Sequence, residues 1–206
     1  MTRRQIIALG GGGFSEEPDN PLLDQYFLRK TGKKNPSVCF VPTATGDSDG
    51  YIVKFYTAFN RFRCRPCHLS LFRPPKDLRD FVLSQDAIYV GGGSTKNLLA
   101  LWREWRLDRY LREAWRQGTV LGGISAGSLC WFDEGLSDSV PGKQIIIRCL
   151  GILQGSHTPH YNRPERRQAF TRLIAQGRLA EGVAAEDGVA LHYLNRKLVI
   201  AVHDDS

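Results

Sequence analysis

The sequence predicts a doubly wound α/β fold: a mostly parallel sheet with helices on both faces. Three observations predict it. Short apolar runs alternate along the chain with segments of helical spacing. Several of those runs end in glycine- or proline-rich turns, as strands do at the carboxyl edge of a parallel sheet. The 206 residues, 42% hydrophobic and 24% charged, suffice for one core. No repeat, low-complexity tract or linker divides them, so residues 1–206 read as a single domain.

Gln5–Leu9 reads as a short strand that runs into Gly10-Gly11-Gly12-Gly13. Leu22–Lys30 has helical spacing. Ser37–Val41 is a second strand, ending in Pro42-Thr43-Ala44-Thr45. Tyr51–Phe62 carries apolar residues at a helical period. Cys67–Phe72 reads as a third strand, stopped by Pro74-Pro75. A short helix over Leu78–Ser84 precedes the strand Ala87–Val90 and its Gly91-Gly92-Gly93 turn. Thr95–Trp102 and Leu107–Gln117 are helical, and Thr119–Ile124 is a buried strand that leads to Ser125. Beyond Phe132 the pattern weakens. Ile145–Leu150 reads as a strand, Pro164–Gln176 as a helix with proline at its start, and Val189–Leu191 with Lys197–Val202 as a closing hairpin.

Composition excludes several functions. No apolar run approaches the roughly 18–20 residues that span a membrane. After the basic Met1-Thr2-Arg3-Arg4, the apolar stretch Ile6 to Leu9 is too short for a signal-peptide core, so a cytoplasmic protein is expected. Five cysteines, an odd number spread widely, argue against a secreted disulfide scaffold. Cys64-Arg65-Pro66-Cys67 has redox or metal spacing, but it leads into a strand and no second pair completes a zinc site. No metal or cofactor is expected. The net charge of +7 is dispersed, apart from a dense patch over Trp102–Arg116. There arginines alternate with tryptophans and leucines at helical spacing, which reads as a solvated basic face rather than a nucleic-acid surface.

Gly123-Ile124-Ser125-Ala126-Gly127 matches G-x-S-x-G, the nucleophile elbow. A strand that turns abruptly into a helix leaves its central residue strained, and the chain passes close to itself, so small neighbours are required. The strand before and the apolar Leu129–Phe132 after give the motif its proper context. A serine at a helix start also faces unpaired N–H groups and a positive dipole end. The Ala126 N–H would supply one oxyanion donor. The second is expected from Gly91–Gly93, which emerges at the same sheet edge.

A serine hydroxyl needs a base. His68 lies within a strand and reads as structural, and the hairpin residues His192 and His203 read as exposed. His157 and His160 share a loop after a strand, and position does not choose between them. Three carboxylates suit the third role: Asp138, Glu186 and Asp187.

These segments resemble a known family, peptidase E (aspartyl dipeptidase) and cyanophycinase. The resemblance covers most of the chain. It rests on Phe40-Val41-Pro42-Thr43-Ala44, Val90-Gly91-Gly92-Gly93-Ser94-Thr95, the elbow through Ser128, and Thr158-Pro159-His160-Tyr161. It implies a class I glutamine-amidotransferase-like fold and a serine peptidase that cleaves short peptides. It implies Ser125 as nucleophile, His160 rather than His157 as base, and Gly93 with Ala126 as the oxyanion hole. For the acid it implies either Asp138, as in peptidase E, or Glu186, as in cyanophycinase. Arg166 resembles the arginine that holds a substrate's N-terminal aspartate, which suits an arginine fork. Dimerisation is implied by the resemblance alone. A competing reading is a nucleotide-binding module on Gly10–Gly13. However, G-x-G-x-x-G fails there, because Ser15 holds the final glycine position, and no Walker lysine follows. A glutaminase domain would need cysteine at the elbow.

Overall fold

A computed structural model describes residues 3–204, so Met1 and Thr2 of the basic N-terminus lie outside the described residues. Apolar β-branched and aromatic runs form the strands of the larger sheet. These are β1 (Gln5–Leu9), β2 (Ser37–Val41), β3 (Arg65–His68), β4 (Ala87–Val90) and β5 (Val120–Ile124). They lie side by side in the order β1-β5-β4-β2-β3, and every adjacent pair is parallel. The near-continuous burial of β1, β2, β4 and β5 is what a sheet covered on both faces requires.

Helices supply that cover. On one face, α1 (Gly13–Glu16), α2 (Leu22–Arg29) and α3 (Asp49–Phe59) bring Phe14, Phe27, Phe55 and Phe59 against Phe40 and Tyr89. On the other, α4 (Leu78–Leu83), α5 (Thr95–Glu104) and α6 (Leu107–Gln117) bring Val82, Leu98, Trp102, Leu111 and Trp115 to the sheet. Fully burying one such side chain contributes roughly 1.5–3 kcal/mol, so these two layers dominate the fold's stability. The arginine-rich stretch breaks at Arg106, which adopts a left-handed conformation between α5 and α6. Its tryptophans divide accordingly: Trp102 and Trp115 are buried and Trp105 is exposed.

The short α7 (Ala126–Leu129) follows the elbow, and the chain then builds a second sheet. Its strands are β6 (Glu134–Val140), β7 (Lys143–Arg148), β8 (Ser156–Thr158) and β9 (Gly182–Ala184), in the order β7-β6-β8-β9. β6, β8 and β9 are parallel, while β7 is antiparallel. α8 (Pro164–Ala175) packs Ala169, Phe170 and Leu173 against Leu136 of β6. Finally β10 (Val189–Leu194) and β11 (Lys197–His203) return to the larger sheet, with β10 antiparallel to β1.

The fold is therefore the doubly wound, mostly parallel arrangement the sequence predicts, with three local corrections. The third strand ends at His68 instead of continuing to Phe72. The segment around His157 is not a loop but strand β8. His192 is buried rather than exposed, because β10 is an interior strand; its ring meets Tyr26 Oη at 2.8 Å and Gln5 Oε1 at 3.1 Å. Burial lowers its pKa to about 4. No helix among the described residues is long and apolar enough to cross a membrane.

Candidate active site

Parallel strands deliver their following loops to one edge of the sheet, and the site forms there. Ser125 follows β5 in a conformation of φ 55° and ψ −113°, a strained region for a residue with a side chain. Its neighbours must be small. A Cβ at Gly123 or at Gly127 would run into the backbone and side chain of Val90. The strain holds the hydroxyl out of the sheet. Its helix, α7, is only four residues long, so the dipole effect expected from the sequence is small, and individual N–H groups matter more.

The glycine triplet after β4 packs directly on Ser125: a Cβ at Gly92 would stand 3.3 Å from the serine Cβ. Gly91 N–H donates to Val41 O, and Gly92 N–H donates to Tyr51 Oη at 3.1 Å. Gly93 has φ 129°, and a side chain there would meet Ala44. Among the described residues, neither the Gly93 N–H nor the Ala126 N–H has a partner. Two unpaired donors thus flank the serine.

His160 approaches from the second sheet. It sits just past β8 with φ 53°, held by its own N–H to Gly10 O and by Tyr161 N–H to Ala185 O. Its Nε2 lies 2.9 Å from Ser125 Oγ, and its Nδ1 lies 2.5 Å from Asp187 Oδ1. Asn162 Nδ2 donates to the other Asp187 oxygen at 2.9 Å. Burial works to raise the Asp187 pKa. Hydrogen bonds from Asn162 and His160, with the charges of His160 and Arg163, outweigh it and hold the carboxyl below its ordinary value. The group is a standing carboxylate that orients the imidazole.

The expected acids lie elsewhere. Glu186, one residue before Asp187, points away to Arg167 at 2.9 Å. Asp138 is on β6 and pairs with Arg166 at 2.5 Å. That pair also removes Arg166 from the position the sequence suggests. Its guanidinium is buried, donates to Leu136 O as well, and lines a different depression with Asp138, Lys143 and Arg163. His157 is fully buried on β8, with Nδ1–H donating to Val183 O and Nε2 3.1 Å from Ser128 Oγ. It stacks on Phe132 with ring centroids 4.5 Å apart.

Gly10–Gly13 serves the site in another way than phosphate binding. A Cβ at Gly10 would collide with the backbone of Glu186, and one at Gly11 with the Asp187 carboxylate. These glycines let the acid's loop close on the sheet. Sequence reasoning also passed over Glu16, whose Oε2 accepts the Gly12 N–H at 2.7 Å. One ligand-type atom each of Glu16, His160 and Asp187 lie within 4.8 Å of one another. Both His160 nitrogens, however, are already engaged by Ser125 and Asp187.

A cavity of about 450 Å³ opens over Ser125, with Gly93, Tyr51, Glu16 and Lys54 in its wall. That volume suits a small ligand. An α/β sheet that presents a strained serine, bonded to a histidine and through it to an aspartate, defines the class of α/β serine hydrolases. Residues 6–201 match the family model of Peptidase family S51, and the chain belongs to that family. It is therefore a peptidase of the serine type. It is 54% identical over 205 residues to "Uncharacterized peptidase YgaJ" of Bacillus subtilis (strain 168), covering 98% of this chain and 89% of that one. It is 28% identical over 197 residues to Peptidase E of Shewanella amazonensis, covering 88% and 82%. Two crystal structures share the fold. A candidate peptidase E protein from Listeria monocytogenes EGD-e has a TM-score of 0.73 at 15% identity, covering 98% and 99%. A peptidase from an acI-B1 Actinobacterium has a TM-score of 0.69 at 17% identity, covering 92% and 82%. The class I glutamine-amidotransferase-like fold implied by the resemblance is the fold observed.

Proposed function

We propose that the protein hydrolyses short peptides, in the manner of a dipeptidase, through an acyl-enzyme on Ser125. The observation that carries this reading is the unbroken relay from Ser125 Oγ through His160 to Asp187, at 2.9 and 2.5 Å. His160 takes the serine proton as Oγ attacks the peptide carbonyl. The negative charge that develops on the carbonyl oxygen falls to the Gly93 and Ala126 N–H groups. His160 then protonates the leaving amine, and water, deprotonated by the same imidazole, releases the acyl group. Asp187 stays ionised throughout and stabilises the imidazolium.

The cavity's modest size favours short substrates, and the similarity to Peptidase E supports a dipeptide. An acidic preference at the N-terminal residue loses its expected reader in Arg166. Lys54 is the basic side chain in the cavity wall. Five free thiols suit a reducing compartment, which supports a cytoplasmic location. The test is a panel of Asp-Xaa and neutral dipeptides, measured on wild type and Ser125→Ala. The variant is expected to lose at least about 10³-fold in kcat on every cleaved peptide. Retention of full activity by Ser125→Ala on any cleaved peptide would refute the mechanism.

A further inference from the structure

We infer that Glu16 anchors the substrate's α-ammonium group and so restricts the enzyme to peptides with an unblocked N-terminus. This rests on the serine-peptidase reading of Ser125 and adds a residue to it. Glu16 closes α1 at the rim of the cavity, and its side chain is fixed: one carboxylate oxygen takes the Gly12 N–H at 2.7 Å. The carboxylate stands beside the relay, with one of its oxygens within 4.8 Å of ligand-type atoms on both His160 and Asp187. It lines the same cavity as Ser125 and Gly93.

Position suits this role. In the attacked peptide the α-nitrogen is two bonds of ~1.5 Å from the carbonyl carbon. A further hydrogen bond of ~2.9 Å reaches an acceptor. An anchor must therefore stand in the wall of the cavity into which the serine oxygen opens, and Glu16 lines that cavity together with Ser125. Charge suits it too. Among the described residues Glu16 forms no ion pair, and neither does its neighbour Glu17 or Asp204. The crowding acts on Glu17, whose carboxyl is pushed up to about 6. A hydrogen bond with Asp204 is the largest cause, followed by burial and by the charges of Asp204, Glu16 and Asp187. A carboxylate held in no ion pair lowers the energy of an arriving ammonium and repels a free carboxylate, and Lys54 in the same wall offsets part of that field. Asp187 already holds His160 Nδ1, so Glu16 has no part in orienting the base.

The experiment compares each cleaved dipeptide with its N-acetyl counterpart, on wild type, Glu16→Gln and Glu16→Asp. Wild type is expected to prefer the free amine by at least about 30-fold in kcat/KM. A charge-assisted contact of this kind supports roughly 10- to 100-fold. Glu16→Gln should shrink the free-to-acetyl ratio by that factor, through KM more than kcat, and Glu16→Asp should keep part of it. A ratio unchanged in Glu16→Gln overturns the assignment, as does a wild type that cleaves acetylated peptides equally well. An α-N-acetyl-lysyl peptide cleaved as fast as free ones would place a basic side chain there instead and also overturn it. A fluorophosphonate probe separates the two levels. If wild-type Ser125 fails to react, the serine-peptidase reading is what falls. If it reacts while the ratio stays fixed, only Glu16 falls.

Discussion

His157 and His160 are three residues apart on one segment, yet their surroundings share almost nothing. His157 belongs to β8, inside the second sheet. Its ring lies flat on Phe132, and burial drives its pKa down to about 3. It is an uncharged spacer between Val183 and Ser128. His160 has left the strand, in a left-handed conformation that swings its ring toward the larger sheet. There one nitrogen faces a hydroxyl and the other a carboxylate. The same side chain becomes a core residue or a base according to where the strand ends. The carboxylates repeat the lesson at a spacing of one: Glu186 reaches the solvated Arg167, and Asp187 reaches the imidazole.

The contrast between the two carboxylates predicts the largest effect. Asp187→Asn should lower kcat by roughly 10²–10⁴-fold, because the imidazole loses its orienting anion, while Glu186→Gln should stay within about threefold. Steady-state kinetics on one dipeptide checks both. Equal losses would erase the distinction between the neighbours.

His157 should matter for stability instead. His157→Gln removes a stacked ring from a closed core and is expected to cost about 2–3 kcal/mol in denaturant unfolding, with kcat within a few-fold of wild type. Its pH dependence follows from the folded-state pKa of about 3 against the ordinary 6.5. Below pH 6.5 the unfolded chain takes up a proton that the folded protein refuses, so this group's contribution is lost as pH falls from 6.5 toward 3. The slope is at most about 1.4 kcal/mol per pH unit. Asp24 opposes it. Its buried carboxyl, raised to about 7 by desolvation, favours folding below pH 3.8 and loses that contribution as pH rises toward 7. Asp24 is common to both proteins, so the difference between wild type and His157→Gln isolates the histidine. Unfolding curves between pH 4 and 7 should show the gap narrowing as pH falls, and parallel curves would contradict the buried, neutral ring.

The larger sheet is legible in the sequence because its strands are apolar runs bounded by glycine or proline. Gln5–Leu9, Ser37–Val41 and Ala87–Val90 read correctly to the residue. The second sheet is legible only at β7, where the strand read over Ile145–Leu150 overlaps Lys143–Arg148; Glu134–Val140 and Ser156–Thr158 are polar or mixed and carry no alternation. They are strands through their neighbours, not through propensity. Ser125 is legible because its chemistry demands a local pattern of small residues. His160 needed the Pro159-His160-Tyr161 resemblance to be preferred over His157. Asp187 was not separable from Glu186. Which of two consecutive side chains turns inward depends on how closely Gly10 and Gly11 let the loop approach, and that contact joins residues far apart in the chain. Arg166 is the converse case. An arginine fork fits a carboxylate, but the carboxylate it meets is the protein's own Asp138.

The central claim is that the residue-160 imidazole, and not the one at 157, activates Ser125. Its most direct test is the rate at which a fluorophosphonate probe modifies the protein, with the adduct located by mass spectrometry. The account predicts an adduct on Ser125 in wild type and in His157→Gln at similar rates, and a rate reduced at least about 10²-fold in His160→Ala. Undiminished labelling of Ser125 in His160→Ala, or an adduct on another residue in wild type, would contradict it.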